Sequence, residues 1–503
     1  MRAILVSVEA RLKLERLALT GIGVGVLLRL ASPFIMDLGY DANAYVATGY
    51  GWMRTHHLLL PYGDVLTFWP SGPGYSHHFP PGYPFYLGLV FATLGYGLAQ
   101  AKLAAVAISL LALVVTWWAT RDLYGREAAA LTTAVVAVTP WLFWLTGMGF
   151  SENLALILFT LTMWAIVRSL ENERFILLAG LFAGLAYLTR SSMGAFFLIA
   201  GGGGALWRLY HRGWRAFRSP WYGAAVVLFG AILGAWAWRN LALFGWPNWE
   251  TSTGSRGIPE WIWDHKLQFA LSTFARVPMM LAVLLPLPLF LRPEARAAVR
   301  RLREEHASAL WLSVFLVWFL AVLFSAAYLS MGAWEDALRL DNFRYVVIAI
   351  VPLTWLLARD SDCGDPRTRR RWLALGIVLL VGCATVAIYP AHDLSSEAAR
   401  ALDPALQKGD VILVDGTGKY AFFAYLTHPE DVSVHLAGYV PQDEPAPPFV
   451  IQRWQGARDG YVLLGEKLER HPWFAPDDYV VIYGRADVVA ARGIVLEPMR
   501  AGW

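Results

Sequence analysis

Long apolar runs recur along this chain, and short polar links rich in arginine join many of them. A helix that crosses a membrane takes roughly 20 mostly apolar residues. The composition agrees, because 57% of the residues are hydrophobic and only 16% are charged. A soluble domain has about 45–50% apolar and about 25% charged residues. The sequence therefore predicts a polytopic α-helical membrane protein.

The length rule predicts about eleven membrane spans. One further apolar stretch, 82–98, is interpreted as a helix in the outer interface, because counting it as a span would put basic links on the wrong side. The alternative is that 82–98 crosses the membrane and a later segment does not. The predicted spans are 15–36, 99–119, 127–146, 153–169, 174–190, 192–208, 221–239, 273–291, 308–330, 343–358 and 372–389.

The polar links predict the orientation, because lysine and arginine accumulate on the cytoplasmic side. With the N-terminus inside, inner links such as "RDLYGRE" and "RPEARAAVRRLREEHA" are basic. In the first outer loop, 37–98, Arg54 is the only lysine or arginine. The apolar N-terminal stretch is interpreted as an uncleaved first helix rather than a signal peptide. We therefore expect a multi-pass plasma-membrane protein with a cytoplasmic N-terminus and an extracytoplasmic C-terminus.

The composition changes after residue 390, which predicts two domains: 1–390 in the membrane and 391–503 as a soluble α/β domain outside. The stretch "KGDVILVDGTGKYAFFAYLTHPEDVSVHL" predicts strand, turn, helix and strand. "GYVLLGEKLERH" then predicts a helix and "DYVVIYGR" a strand. The two cysteines, Cys363 and Cys383, fit no disulfide, zinc or redox pattern.

Charged and polar side chains gather at the outer ends of the predicted spans. Each has a simple structural explanation: Asp41 and Glu152 favour helix N-termini, and arginines at helix ends reach toward lipid headgroups. Charges at membrane depth are also expensive and often functional. Their concentration on one face favours a single cavity that contains Asp41, Glu152, His77, His78, Arg190, Arg239 and Arg344.

Transfer of a sugar from a lipid-linked phosphate would use such a set. The departing phosphate needs positive charge beside it, and the acceptor hydroxyl needs a carboxylate base on the opposite face of the sugar. An apolar groove would hold the lipid. The sequence contains all three elements.

The order of the motifs resembles the GT-C superfamily of integral membrane glycosyltransferases, which use polyprenyl- or dolichyl-phosphate sugars. It is most similar to glycosyltransferase family 39, the group of protein O-mannosyltransferases and aminoarabinose transferases. The resemblance covers roughly residues 15–360. It rests on "GYDANAY", "HHFPPGYPFYLGL", "GREAAALTTAVVAVTPWLFWLTGMGFSENLALILF", "GLAYLTRSSMGAFFL", "WAWRNLALFGWPNWETSTGSRG" and "FRYVVIAIVPL".

The resemblance implies a GT-C fold and roles for individual residues. Asp41 falls at the first-loop catalytic aspartate and Glu152 at the second acidic position. Substrate-binding positions are implied for His77, His78, Arg190, Arg239, Asn240, Arg344 and Tyr345, with Arg344 meeting the lipid phosphate.

Some features of the family are altered here. Relatives often carry Asp-Glu where this chain has "DAN", so no second carboxylate follows Asp41. The sequence therefore leaves open whether a divalent metal is used, and Asp41, Glu152 and His78 could hold one. The Trp-Trp-Asp signature of oligosaccharyltransferases is absent from the sequence, which disfavours transfer of whole oligosaccharides to asparagine.

The expected activity is transfer of a hexosyl or pentosyl group, in the cell envelope, from a polyprenyl-phosphate donor to an acceptor outside the membrane. The acceptor could be protein, lipid or glycan, and no nucleic-acid partner is expected. The alternative is a transporter or flippase of lipid-linked sugars, which would more often show related halves and polar helices at mid-membrane. A non-catalytic scaffold that uses the outer domain for binding is the third interpretation.

Overall fold

A computed structural model describes most of the N-terminal third and separate parts of the remaining chain. The described residues are 2–58, 80–190, 193, 197, 213, 219–244, 286–301, 347–359, 361, 365–388, 394–414, 424–428, 431–436, 446–452, 459–469 and 478–496. The predicted span 308–330 lies outside them, as do nearly all of 192–208 and parts of 273–291 and 343–358.

The described membrane part is helical. Its first seven helices run from α1 to α7, and five more follow along the chain as α8 to α12. Their bounds are α1 Arg2–Ile35, α2 Tyr40–Thr55, α3 Gly82–Leu94, α4 Leu98–Ala137, α5 Pro140–Gly147, α6 Glu152–Ser169, α7 Phe175–Thr189, α8 Pro220–Phe244, α9 Pro286–Phe290, α10 Arg292–Arg300, α11 Ile350–Ala358 and α12 Pro366–Ile388.

Within the described residues, five helices are long and apolar enough to cross a membrane; they lie in α1, α4, α6, α8 and α12. Helix α3 has 13 residues, and at 1.5 Å per residue it is about 20 Å long, less than the roughly 30 Å of a bilayer core. The location of 82–98 in the outer interface stays a prediction. Helix α7, predicted as a span, has only 15 residues.

Helix α4 consists of two helices that meet at Gly125, where the backbone is not helical and φ is 86°. Glycine adopts this left-handed region at little cost because it has no Cβ. Gly125 lies in the link "RDLYGRE" that was predicted between two spans. The second of those spans, 127–146, is divided between the end of α4 and α5, which begins at Pro140. Proline suits the first turn of a helix because its missing N–H has no partner there.

Arg29 is a charged side chain buried inside the helical part, with 1% of its surface exposed. Its guanidinium lies at the C-terminal end of α4, where it donates to the carbonyl oxygens of Ala137 and Val136, the latter at 3.0 Å. Its Nε donates to Ser109 Oγ at 2.8 Å. A cation at a helix C-terminus satisfies carbonyls that the helix itself leaves open and complements the helix dipole.

Replacing Arg29 by methionine is expected to destabilise the protein, because the carbonyls at the end of α4 lose their donors in an apolar environment. Each buried acceptor left unsatisfied costs about 1–3 kcal/mol. Thermal unfolding in detergent should show a lower midpoint. The exposed Arg300 in α10 supplies a control, since its side chain bonds a carbonyl of its own helix at 3.4 Å; an unchanged midpoint for Arg29→Met would contradict the capping role.

The C-terminal region forms a small sheet with two described helices. Its helices are α13 Leu394–Leu402, followed by a 3₁₀ turn Asp403–Ala405, and α14 Ala486–Arg492. Its strands are β1 Val411–Val414, β2 Ser433–Leu436, β3 Phe449–Gln452, β4 Tyr461–Glu469 and β5 Asp478–Arg485.

The five strands lie in the order β2-β1-β3-β5-β4. The neighbours of β1 are parallel to it, and β5 is antiparallel to both of its neighbours. Leu413, Val450, Val481 and Tyr483 form a buried apolar cluster on the sheet. The predicted α/β fold of this region is confirmed, whereas its place outside the membrane stays a prediction.

One element prediction in this region was wrong. The stretch "GYVLLGEKLERH" was predicted as a helix, but Tyr461–Glu469 is strand β4, paired with β5 from Tyr461↔Arg485 to Glu469↔Asp478. Leucine, glutamate and lysine favour helices weakly, by a few tenths of a kcal/mol per residue. Pairing along the whole of β5 overrides that preference.

The chain divides into two compact units. The first comprises Met1–Phe34, Val106–Thr146 and Ser151–Tyr389. The second comprises Ile35–Ala105, Gly147–Phe150 and Pro390–Trp503. The C-terminal sheet is therefore grouped with the segment Ile35–Ala105, although the two are far apart in sequence.

Candidate active site

Helices α6 and α7 bring Glu152 and Arg190 together. A link of five residues, 170–174, joins the two helices, so they run antiparallel and the start of α6 lies beside the end of α7. Glu152 is in the first turn of α6, and Arg190 directly follows α7. The two side chains form an ion pair in which 1% of Glu152 and 11% of Arg190 is exposed.

Arg190 makes a second contact at the start of α6. Arg190 Nη1 also lies 3.5 Å from the hydroxyl of Ser151, which is itself buried. Glu152 is favourably placed because a carboxylate at a helix N-terminus faces the positive end of the helix dipole. A buried charge is tolerated only when it is paired and hydrogen-bonded, and this arrangement meets that condition.

The residue after Glu152 is anchored by a polar chain in the helix interior. Asn153 donates to Thr146 Oγ1 at 3.1 Å, and Thr146 Oγ1 lies 2.7 Å from Ser109 Oγ. Ser109 Oγ accepts from Arg29. Three other helices, α1, α4 and α5, therefore hold the start of α6 through a chain of side-chain hydrogen bonds.

Arg239 and Asn240 lie near the end of α8. Arg239 Nη1 donates to Asn240 Oδ1 at 2.8 Å, and the guanidinium stands 4.6 Å above the ring centre of Trp236. Asn240 is buried and Arg239 is half-buried. The indole and the amide restrict the guanidinium to one orientation, as suits a residue that recognises an anion.

Asp41 belongs to the second unit and is in the first turn of α2. The helix begins after Gly39, whose N–H donates to Met148 O at 2.8 Å. A Cβ at Gly39 would come within 2.6 Å of the Phe150 ring, so only glycine fits this close approach. Helix α2 then packs on α3, where the rings of Tyr45 and Tyr83 meet edge to face with centroids 5.2 Å apart.

The structure therefore pairs Glu152 with Arg190 and Arg239 with Asn240, and it places Asp41 at a helix N-terminus. A single cavity that includes Asp41 and Glu152 stays a prediction. The remaining predicted site residues, His77, His78, Arg344 and Tyr345, lie outside the described part of the chain.

A metal site also stays open. No group of three or more His, Cys, Asp or Glu side chains that could hold a metal ion occurs among the described residues. His78, one of the three proposed ligands, is outside that part of the chain. The other two, Asp41 and Glu152, belong to different units.

The sequence did not point to Arg400 and Tyr425. Both contact Asp37, which lies four residues before Asp41, and they come from positions 363 and 388 residues further along the chain. No local pattern signals a contact of that separation, and an arginine in a short helix reads as a solvent-exposed residue.

Residues 78–238 match the model of a family described as dolichyl-phosphate-mannose-protein mannosyltransferase. Among solved structures, ArnT from Cupriavidus metallidurans bound to undecaprenyl phosphate matches with a TM-score of 0.60 and 12% identity, over 93% of this chain and 98% of that one. The apo form of the same protein matches with a TM-score of 0.53 and 14% identity, over the same shares of the two chains, 93% and 98%. No curated protein sequence matches the chain.

A third structure is the oligosaccharyltransferase AglB from Archaeoglobus fulgidus in complex with an inhibitory peptide and a dolichol-phosphate. It matches with a TM-score of 0.50 and 12% identity, over 83% of this chain and 64% of that one. At such identities the comparisons establish the fold, which is the GT-C fold of membrane glycosyltransferases. They confirm the resemblance predicted from the motifs. The five long apolar helices of the described part, together with this fold, indicate a membrane protein.

Proposed function

We propose that this protein transfers a sugar from a polyprenyl-phosphate-linked donor to an acceptor at the extracytoplasmic face of the membrane. The observation that carries the proposal is the buried Glu152–Arg190 pair, held between two helix ends in a GT-C fold. The ArnT structure that shares this fold contains undecaprenyl phosphate, and AglB was solved with a dolichol-phosphate. A related lipid phosphate is therefore the natural donor carrier here.

In the proposed reaction, Asp41 accepts the proton of the acceptor hydroxyl as the general base. The acceptor oxygen forms a bond to the anomeric carbon of the sugar, and the bond between that carbon and the phosphate oxygen breaks. Polyprenyl phosphate leaves with the electron pair. Its growing negative charge is stabilised by arginines, for which Arg190, Arg239 and Arg344 are the candidates.

The other predicted residues complete the site. His77, His78, Asn240 and Tyr345 are proposed to contact the substrates, and Glu152 to position Arg190 and the acceptor. A bound divalent cation would add positive charge beside the phosphate. The proposed reaction assigns proton transfer and charge stabilisation to protein side chains. The transferred group is a hexose or a pentose, and the acceptor is a protein, a lipid or a glycan.

A donor panel tests this function. The protein would be reconstituted in vesicles with radiolabelled polyprenyl-phosphate hexoses and pentoses and with a membrane extract as the source of acceptors. We expect one donor class to release polyprenyl phosphate and to label a product. Protein-free vesicles control for spontaneous hydrolysis, and parallel reactions with and without a chelator decide the metal question.

The same vesicles distinguish an enzyme from a transporter. If no donor in the panel releases polyprenyl phosphate but a lipid-linked sugar moves between the leaflets, the result would contradict the enzyme and support the flippase. Release that requires the folded protein would exclude a purely transporting role.

A further inference from the structure

The four residues ahead of α2 are held one by one by different parts of the second unit. Lys102 donates to Met36 O at 2.7 Å, and the hydroxyl of Tyr425 accepts from Leu38 N–H at 2.8 Å. Gly39 N–H donates to Met148 O. The carbonyls of Leu38 and Gly39 accept from the side chain and backbone of Asn43 in α2, at 3.4 Å and 3.0 Å.

Asp37 is the residue through whose side chain the C-terminal domain contacts this segment. Its carboxylate is buried, with 5% of the residue exposed, and it forms an ion pair with Arg400 of α13. Tyr425 Oη lies 3.2 Å from Asp37 Oδ1. The guanidinium of Arg400 stands 4.5 Å above the Tyr425 ring, so the three side chains stack as one cluster.

The charges in this cluster suit its role at neutral pH. Burial and the neighbouring Asp37 carboxylate raise the pKa of Tyr425, so its hydroxyl stays protonated. Burial opposes the charge on Arg400, but Asp37 and Tyr425 outweigh it, and the pKa of Arg400 is raised above its usual value. Asp37 thus keeps a cation and a hydroxyl donor against it.

We propose that Arg400 and Tyr425 are positioning residues through which the C-terminal domain sets the place of Asp41. The inference rests on the proposed function of Asp41 as general base. The segment from Met36 to Gly39 has no regular secondary structure and leads directly into the first turn of α2. A shift of this segment would move the N-terminus of α2, and with it the carboxylate of Asp41.

The geometry predicts an effect on turnover rather than on donor binding. Small errors in placing a catalytic group are costly, and a displacement of about 1 Å can reduce the rate by about 10²-fold. Arg400→Met is expected to lower kcat by about tenfold or more with KM for the donor changed by less than about twofold. Arg400→Lys should restore part of the loss, because it keeps the charge without the fork of N–H donors.

Arg492→Met is the matched control. Arg492 of α14 makes two hydrogen bonds to Asp410, at 2.7 and 2.8 Å, in the same domain, but neither residue is among those that hold the segment from Met36 to Gly39. Its removal should lower stability without changing kcat. Equal losses of kcat in Arg400→Met and Arg492→Met would mean that the cluster has only a structural role and would overturn the inference.

Hydrogen exchange supplies a readout that does not depend on activity. Tyr425→Phe removes the acceptor of the Leu38 amide, so exchange of a peptide that covers residues 36–45 should accelerate relative to the wild type and Arg492→Met. Unchanged exchange would refute the grip of the C-terminal domain on this segment. Faster exchange with unchanged kcat would also overturn the positioning role, whereas a wild type that uses no donor would refute the proposed function itself.

Discussion

Replacing Asp41 by asparagine is expected to reduce the release of polyprenyl phosphate by about 10²–10⁴-fold, the usual contribution of a general base. The substitution keeps the size and shape of the side chain and removes its capacity to accept a proton. Asparagine is also tolerated at the start of a helix, so α2 should form as before. The measurement is single-turnover release from the donor identified by the panel, with protein folding checked by size-exclusion chromatography and thermal unfolding.

Arg54→Gln supplies the control for Asp41→Asn. Arg54 is an exposed residue in the last turn of the same helix, α2, and its loss should leave both release and unfolding unchanged. A folded Asp41→Asn protein with wild-type release would show that another group accepts the proton. Translocation of the donor that survives in Asp41→Asn while release is lost would show that the protein also transports it.

Removal of one member of the Glu152–Arg190 pair is expected to reduce both stability and activity. Arg190→Met leaves a carboxylate with 1% of its side chain exposed and no guanidinium beside it. Breaking a buried ion pair in this way costs about 3–5 kcal/mol. Thermal unfolding should shift to lower temperature, and release should fall because a charge proposed to stabilise the departing phosphate is lost.

The double variant Glu152→Leu/Arg190→Met, in which both members of the pair become apolar, separates the two effects. Replacing both members of a buried pair is often nearly neutral for stability, since no uncompensated charge is left behind. We therefore expect the double variant to unfold near the wild-type temperature but to remain inactive. Recovery of activity along with stability would show that the pair only holds α6 to α7.

The pairing of Glu152 and Arg190 could be predicted in large part from the sequence. The apolar runs 153–169 and 174–190 were placed within a residue or two of α6 and α7. With so short a link between them, their polar ends must meet on one side. The pattern of apolar residues and charges therefore determined these helices, their order and the polar groups at their ends. The length of an apolar run and its flanking charges are local properties, and they decide directly how a segment inserts into a membrane.

The sequence did not determine the contacts that depend on distant partners. The helix predicted for "GYVLLGEKLERH" became strand β4 because β5 offered a full row of hydrogen-bond partners, which outweighs a weak local preference. The cluster of Asp37, Arg400 and Tyr425 was not predicted for the same reason, which is that its members are far apart in sequence. Each residue is unremarkable in its own stretch of chain, and only the tertiary structure, by burying Asp37 and bringing a cation and a hydroxyl to it, decided what holds the segment ahead of Asp41.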